Sequence, residues 1–313
     1  MTERTIEQDS ETGRLKGTPK GDSPRTGYRN TIFEENAEIL ANVSHPGDQF
    51  VMRVKAPKTA VAARPGQFVH LRVSDERPMR RPISIMLTDP EKGTVDLLIK
   101  AVGEGTRLLR ERKVGESMPM LGPIGRPFDL SDTSKRYILI GGGVGIPPMI
   151  FCAMHLLGKA PTIVFAGSEV EFPFALKPST AVLPGIGGNT ILGITSLEER
   201  GIASRLASNA GLYGCYEGHV PDLARDYLKA LSDEERARCV LLSCGPHPML
   251  HAVARVGREM NVPAYLSLEE HMACGIGGCA GCVVKTVEDG EEKYRRVCVD
   301  GPVFESGLLP EFA

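Results

Sequence analysis

The chain is 313 residues long, a length that suggests two domains or three small ones. Its 37 Lys and Arg nearly balance 39 Asp and Glu, for a net charge of -2, which excludes the basic stripe that a large nucleic-acid footprint needs. A hydrophobic share of 42% excludes a wholly unfolded chain, and eight cysteines are too few for a disulfide scaffold at this length.

Residues 1–29 mix charged side chains with Ser, Thr, Gly and Pro and have almost nothing to bury, so they read as a disordered tail. They contain no apolar core of a secretory signal, and with the low cysteine count this points to a reducing, cytoplasmic setting.

Residues 30–131 carry a β pattern. The stretches 50–54, 67–73 and 94–99 are short, alternating and bounded by Pro and Gly. Many strands at close spacing predict a small antiparallel barrel. Within it, Arg81, Pro82, Ile83 and Ser84 set a cation, a rigid turn and a hydroxyl side by side; Arg81 is suited to a phosphate and Ser84 to a ring nitrogen. Lys100 to Thr106, with Val102 and Gly105 inside it, is a glycine loop opening a short helix, which suits a pyrophosphate. Taken alone, both segments also fit a solvated basic turn.

Residues 132–262 change period. Apolar strands at 137–140, 162–166 and 239–243 alternate with helical runs at 149–157 and 249–260, which predicts a doubly wound parallel sheet. Tyr137 to Gly158 lacks Asp, Glu, Lys and Arg and is long enough to span a bilayer. Its central glycines and Pro147-Pro148 resolve it instead into strand, loop and helix, so no membrane span is expected. Gly143-x-Gly145-x-x-Pro148 follows the first strand and opens a helix, where a dinucleotide pyrophosphate finds N–H donors and a positive dipole. Cys244-Gly245-Pro246 closes a second strand at the edge where such sheets bind ligands. Each loop, by itself, also fits an ordinary turn.

Residues 263–313 concentrate cysteine and glycine. Cys274, Cys279, Cys282 and Cys298 are spaced C-x4-C-x2-C-x15-C, the plant-type [2Fe-2S] arrangement, with glycines between them that allow backbone N–H groups to reach sulfur. Structural zinc, whose thiolates run in close pairs at both ends, and a chance grouping of thiols fit the spacing less well. Cys152, Cys215 and Cys239 show no metal spacing and read as buried hydrophobes.

Barrel, doubly wound domain and terminal cluster in this order resemble the ferredoxin-NADP reductase superfamily. The segment 267–282 and the Cys298-Val299-Asp300-Gly301-Pro302-Val303-Phe304 run resemble, more narrowly, the family of electron-transfer subunits of bacterial NAD-linked dihydroorotate dehydrogenase; the Arg81-Pro82-Ile83-Ser84 segment and Leu121-Gly122-Pro123-Ile124-Gly125 fit too but belong to the wider superfamily. The resemblance covers about residues 31–308. It implies an FAD held by Arg81, Pro82, Ile83, Ser84, Lys100, Val102, Gly105 and Thr106. It implies NAD(H) over Gly143, Gly145 and Pro148 with Cys244 at the nicotinamide, and a [2Fe-2S] cluster on the four cysteines. It also implies a heterotetramer with an FMN-containing catalytic subunit that oxidises dihydroorotate in pyrimidine biosynthesis, its electrons passing through the cluster and FAD to NAD+. The alternative is a reductase of the same superfamily serving an oxygenase, a ferredoxin or a sulfur acceptor.

Three positions depart from the family pattern. Ser208 to Gly211 has no acidic residue, Gly167-Ser168-Glu169 has no Arg to meet a 2′-phosphate, and His271 stands where many relatives have Arg. The second of these favours NADH over NADPH.

Overall fold

The computed structural model describes residues 31–313; the tail expected over residues 1–29 lies outside the described residues. The first part of the described chain is a closed six-stranded barrel of β1 (Phe33–His45), β2 (Gln49–Lys55), β3 (Phe68–Leu71), β4 (Arg81–Asp89), β5 (Thr94–Lys100) and β6 (Ser117–Ile124). Neighbours around the barrel run β1-β2-β5-β4-β3-β6, all antiparallel. Alternation drives this closure. Phe50, Met52 and Val54 of β2, Val69 and Leu71 of β3 and Leu97 and Ile99 of β5 fill one core, and closure leaves no unpaired edge. Two short helices, α1 (Pro57–Ala62) and α2 (Glu104–Glu111), connect the strands.

The second part is a seven-stranded sheet. Its strands are β7 (Arg136–Gly142), β8 (Thr162–Gly167), β11 (Ala203–Ser208), β12 (Tyr216–Glu217), β13 (Cys239–Cys244), β14 (Ala264–Ser267) and β17 (Val303–Glu305). The order is β12-β11-β8-β7-β13-β14-β17, parallel throughout except for β17. A small hairpin, β9 (Leu176–Pro178) with β10 (Leu192–Ile194), leads into α4 (Thr195–Glu198). Helices α3 (Ile146–Leu156), α5 (Val220–Lys229) and α7 (His247–Met260) pack on the sheet, and the short α6 (Asp233–Ala237) precedes β13.

Helix α3 explains the long uncharged stretch in the sequence. Nine of its eleven residues are buried because it lies between the sheet and strand β4, with Phe151 packed into the barrel core. A helix buried around most of its circumference needs no polar face. Among the described residues no helix is long and apolar enough to cross a membrane.

The last segment returns to both earlier parts. β15 (Val283–Glu288) and β16 (Glu291–Arg296) form a hairpin, and β17 then pairs with β14 at the sheet margin. Just before β17, the Gly301 carbonyl accepts a 2.6 Å hydrogen bond from Arg126 N–H, and buried Gln67 donates its amide to the Gly125 carbonyl at 2.7 Å. Gly125 has φ +90°, and a Cβ there would lie 2.5 Å from Pro302 Cδ. The barrel and the C-terminal segment therefore meet backbone to backbone.

Gly115 has the same φ of +90° but open space where a Cβ would project. Gly125→Ala is expected to cost about 1–3 kcal/mol more than Gly115→Ala, the overpacking contribution over a shared backbone strain. Denaturant midpoints of the two cofactor-loaded variants check this; equal midpoints would show that the junction yields freely.

Candidate functional site

Strand order places the first site. The chain leaves β7 toward β8 and β11 on one side and β13 and β14 on the other, so the order reverses between β7 and β13. Ligands of open α/β sheets bind at such a switch point, beyond the carboxyl ends of the strands. The two loops that the sequence offered as separate candidates are neighbours here, since Cys244 pairs with Gly141. Gly143–Gly145 forms a 3-10 turn leading directly into α3, whose first turn holds Pro147 and Pro148. A Cβ at Gly145 would lie 2.2 Å from the Cys244 carbonyl oxygen, so only glycine lets the two loops touch. Gly143, in contrast, faces open space.

Cys244 sits at the end of β13, paired with Ser267 of β14. Burial pushes its thiol up to about 12, the Ser267 hydroxyl opposes this, and the charge of Glu269 adds to it. The group at this loop is thus a neutral thiol at physiological pH.

The second site lies on the barrel. Register sets Leu71 opposite Arg81, His70 opposite Pro82 and Phe68 opposite Ser84. The Arg81 guanidinium lies against Gly105 at the start of α2 and donates to the Met79 carbonyl at 2.9 Å. Thr106 closes the first turn, its hydroxyl accepting from Gly103 N–H at 3.1 Å, and Glu104 is held aside by an ion pair with Arg77. A guanidinium beside free helical N–H groups is a fitting cradle for a pyrophosphate. Ile83 and Ser84 are half-buried on β4, whereas Lys100 and Val102 are exposed, Val102 to 72%. These residues fit an FAD.

The third site is the cysteine loop. Cys279 N–H points at Cys274 Sγ at 3.4 Å. Burial alone would raise the Cys274 thiol, but N–H groups of Cys279, Ile276 and Gly278 and the Cys279 side chain outweigh it and bring it down to about 7. Cys298 is pushed up to about 12 by burial and by the adjacent Cys282 thiol, partly offset by Gly277 N–H. Cys274 and Cys279 lie toward solvent, half-buried and exposed respectively, whereas Cys282 and Cys298 are buried.

The C-x4-C-x2-C-x15-C set fits a binuclear cluster better than a single zinc, and the N–H groups aimed at Cys274 are the kind that tune a cluster's potential.

Three supporting residues were not singled out from sequence. His70 is fully buried, on the same outward face of β3 as Phe68, while Val69 and Leu71 face the barrel core. Neither of its ring nitrogens has a hydrogen-bond partner of normal geometry. Burial and the Arg80 charge lower its pKa to about 4, so the ring is neutral. It packs on the cysteine loop: a Cβ at Gly275, φ +68°, would lie 2.7 Å from His70 Nδ1. A polar ring facing out of an otherwise apolar strand is the signal that would have found it. Arg296 donates to the Gly277 carbonyl at 2.8 Å and takes its own support from Asp300, which accepts from Arg296 N–H at 2.9 Å. This pair pins the far side of the loop. His271 is exposed.

Comparison with known proteins gives a consistent result. Residues 269–309 match a family model described as the iron-sulfur cluster binding domain of dihydroorotate dehydrogenase B, and residues 38–128 match the oxidoreductase FAD-binding domain. Proteins described as "Dihydroorotate dehydrogenase B (NAD(+)), electron transfer subunit" are similar along most of their length. That of Desulforamulus reducens is 31% identical over 274 residues, 87% of this chain and 96% of the relative. That of Shouchella clausii is 36% identical over 252 residues, 78% and 86% respectively. Among solved structures, an NADH-dependent reduced ferredoxin-NADP oxidoreductase studied for flavin-based electron bifurcation superposes with a TM-score of 0.69 and 26% identity, covering 87% of this chain and 88% of that one. A ferredoxin reductase of carbazole 1,9a-dioxygenase, at 20% identity and TM-score 0.59 over 75% of this chain and 69% of that one, shares the fold.

Two outcomes follow from this geometry. Gly275→Ala combines positive-φ strain with a collision at His70, together about 2–5 kcal/mol against the loop's observed path. Iron per chain should fall well below wild type while flavin content holds, and His70→Ala should restore part of it; full iron in Gly275→Ala would show the contact is slack. With its thiol at about 12, Cys244 should react with iodoacetamide at pH 8 roughly a thousandfold more slowly than an unhindered thiol, judged by thiolate fraction. Peptide mass spectrometry over a time course reads this directly.

Proposed function

The chain belongs to the family of dihydroorotate dehydrogenase B electron transfer subunits, and from that premise we propose that it relays electrons between a dihydroorotate-oxidising partner subunit and NAD+ in pyrimidine biosynthesis. The observation that carries the proposal is the contact of His70 with Gly275, which sets the cysteine loop directly against the strand paired with the Arg81 to Ser84 segment. When bound, a flavin there supplies the exchange between hydride and single electrons that neither nicotinamide nor an iron–sulfur cluster performs alone.

The chain's own residues supply holding, orientation and exclusion of water. Arg81 and the N–H groups at Gly105 and Thr106 would hold the FAD pyrophosphate. Pro82 and Ile83 would give it a rigid apolar wall, Ser84 a hydroxyl for the ring, and Lys100 and Val102 the loop beside it. Gly143, Gly145 and Pro148 would floor the nicotinamide nucleotide, with the neutral Cys244 thiol packed near its reactive end. Cys274, Cys279, Cys282 and Cys298 would hold the cluster. On this reading, residues 30–131 serve the flavin, 132–262 the nucleotide and 263–313 the cluster.

NADH is the expected nucleotide. Neither 167–169 nor 208–211 offers a basic side chain; Ser208 Oγ accepts from Ala210 N–H at 3.1 Å, and Asn209 contacts the His219 ring at 3.1 Å. The partner would be an FMN-containing catalytic subunit in a cytoplasmic heterotetramer, docking where Cys279 and the 57%-exposed Ile276 face outward. The carbazole dioxygenase reductase shares the fold, whereas the dihydroorotate dehydrogenase B family model matches the cysteine segment itself, which favours this reading over an oxygenase, ferredoxin or sulfur acceptor.

Anaerobic isolation from the native cell tests the proposal. Co-purification of an FMN-containing subunit, with dihydroorotate-dependent NAD+ reduction by the complex, is the expected result. Another oxidoreductase in its place would overturn the named reaction. Within that complex, Cys279→Ser should abolish partner-linked turnover by at least about a hundredfold, as for loss of an essential positioned group, while reduction of FAD by NADH persists. Unchanged partner-linked turnover would remove the cluster from the route.

A further inference from the structure

Outside these sites, one group of side chains among the described residues has the make-up of a metal site. His247 and His251 lie on successive turns of α7, so both rings project from one face of the helix. Glu311 reaches them from the 3-10 turn Pro310–Phe312. The ligating atoms of all three lie within 4.8 Å of one another, and His247 Nε2 is 3.2 Å from a Glu311 carboxylate oxygen. From this geometry we propose that His247, His251 and Glu311 form a binding site for a zinc-type divalent cation.

Distances support closure without backbone movement. A cation held by two imidazoles and a carboxylate at about 2.0–2.2 Å sets the ligand atoms roughly 3.4 Å apart. The His247–Glu311 pair already has that spacing, and rotation of the exposed His247 and Glu311 side chains completes it. The frame around them is rigid. Phe312, 1% exposed, stacks on His251 at 4.4 Å between centroids and lies 4.9 Å from the His247 ring. The Phe312 carbonyl accepts from Arg258, which fixes the turn against the helix.

The charges nearby are compatible with a cation. Arg258 is engaged by the Phe312 carbonyl, and Arg255 is directed to Glu259 at 3.9 Å. The donor set, two imidazoles and one carboxylate, favours zinc, nickel or copper over magnesium or calcium, which prefer all-oxygen shells. A tetrahedral ion here keeps one position for water. As a surface ion pair alone, His247 with Glu311 contributes little to stability, so the arrangement gains most from an ion. Its position gives it a consequence. The helix starts directly after Cys244-Gly245-Pro246, so an ion bound here fastens the C-terminal turn to the element that carries the nucleotide loop.

The test uses the cofactor-loaded protein dialysed against micromolar Zn2+ in excess Mg2+, with zinc, iron and flavin counted per chain. Wild type is expected to retain one zinc that the His247→Ala/Glu311→Gln variant loses, with iron and flavin equal in both. Zinc should also raise the unfolding temperature of wild type and leave that of the variant unmoved. Glu311→Gln alone, an exposed and nearly isosteric change, should weaken retention and guards against a folding defect. No zinc retained by wild type, equal zinc in the variants, or zinc gained at the expense of iron would overturn the proposal.

Discussion

A Cβ atom at position 145 would stand 2.2 Å from the Cys244 carbonyl oxygen, and one at position 275 would stand 2.7 Å from the His70 ring. These two close approaches are the constraint on which the arrangement of sites depends. The first brings the loops after β7 and β13, about a hundred residues apart in sequence, together at the point where strand order reverses and open α/β sheets bind ligands. The second holds the cysteine loop against the barrel strand beside Arg81 to Ser84. Electron relay depends on such distances, and both are set by backbone meeting its neighbour where no side chain intervenes.

The cysteines show how environment divides one functional group into different chemistries. Cys244, half-buried and paired across the sheet with Ser267, stays a thiol up to about 12. Cys274 is also partly buried, yet three N–H groups aimed at its sulfur draw it down to about 7. Burial penalises the thiolate in both; directed hydrogen bonds decide the outcome in the second. The same N–H groups that favour a thiolate suit metal-bound sulfur, whereas Cys244 suits apolar contact.

The C-terminal segment is held in place from several directions. β17 extends the sheet through β14, Pro302 packs on Gly125 of the barrel, and Arg296 with Asp300 ties the hairpin to the cysteine loop. Consequently the loop rests on the barrel on one side and on the hairpin and sheet on the other. Its buried pair, Cys282 and Cys298, joins the same apolar core as Phe68 and Ile124, while Cys279 remains outside. A cluster site held this way presents one edge outward without the loop having to move.

Sequence by itself determined the class of each part. Alternation marked the barrel strands, short apolar runs before glycine marked β7, β8 and β13, and the cysteine spacing marked the cluster, because each depends on local period or on loop length. Helix α3 was legible as a helix although it lacks a polar face. The reason for its apolar character, burial between sheet and β4, was not legible. Tertiary structure decided which loops share a site, since adjacency of β7 and β13 follows from strand order, which no local pattern encodes. It also decided which of the four cysteines are buried and which face solvent, that His70 faces the cluster loop, and that β17 returns to the sheet. Those are contacts between residues far apart in sequence, fixed by packing and by the collisions that glycine avoids.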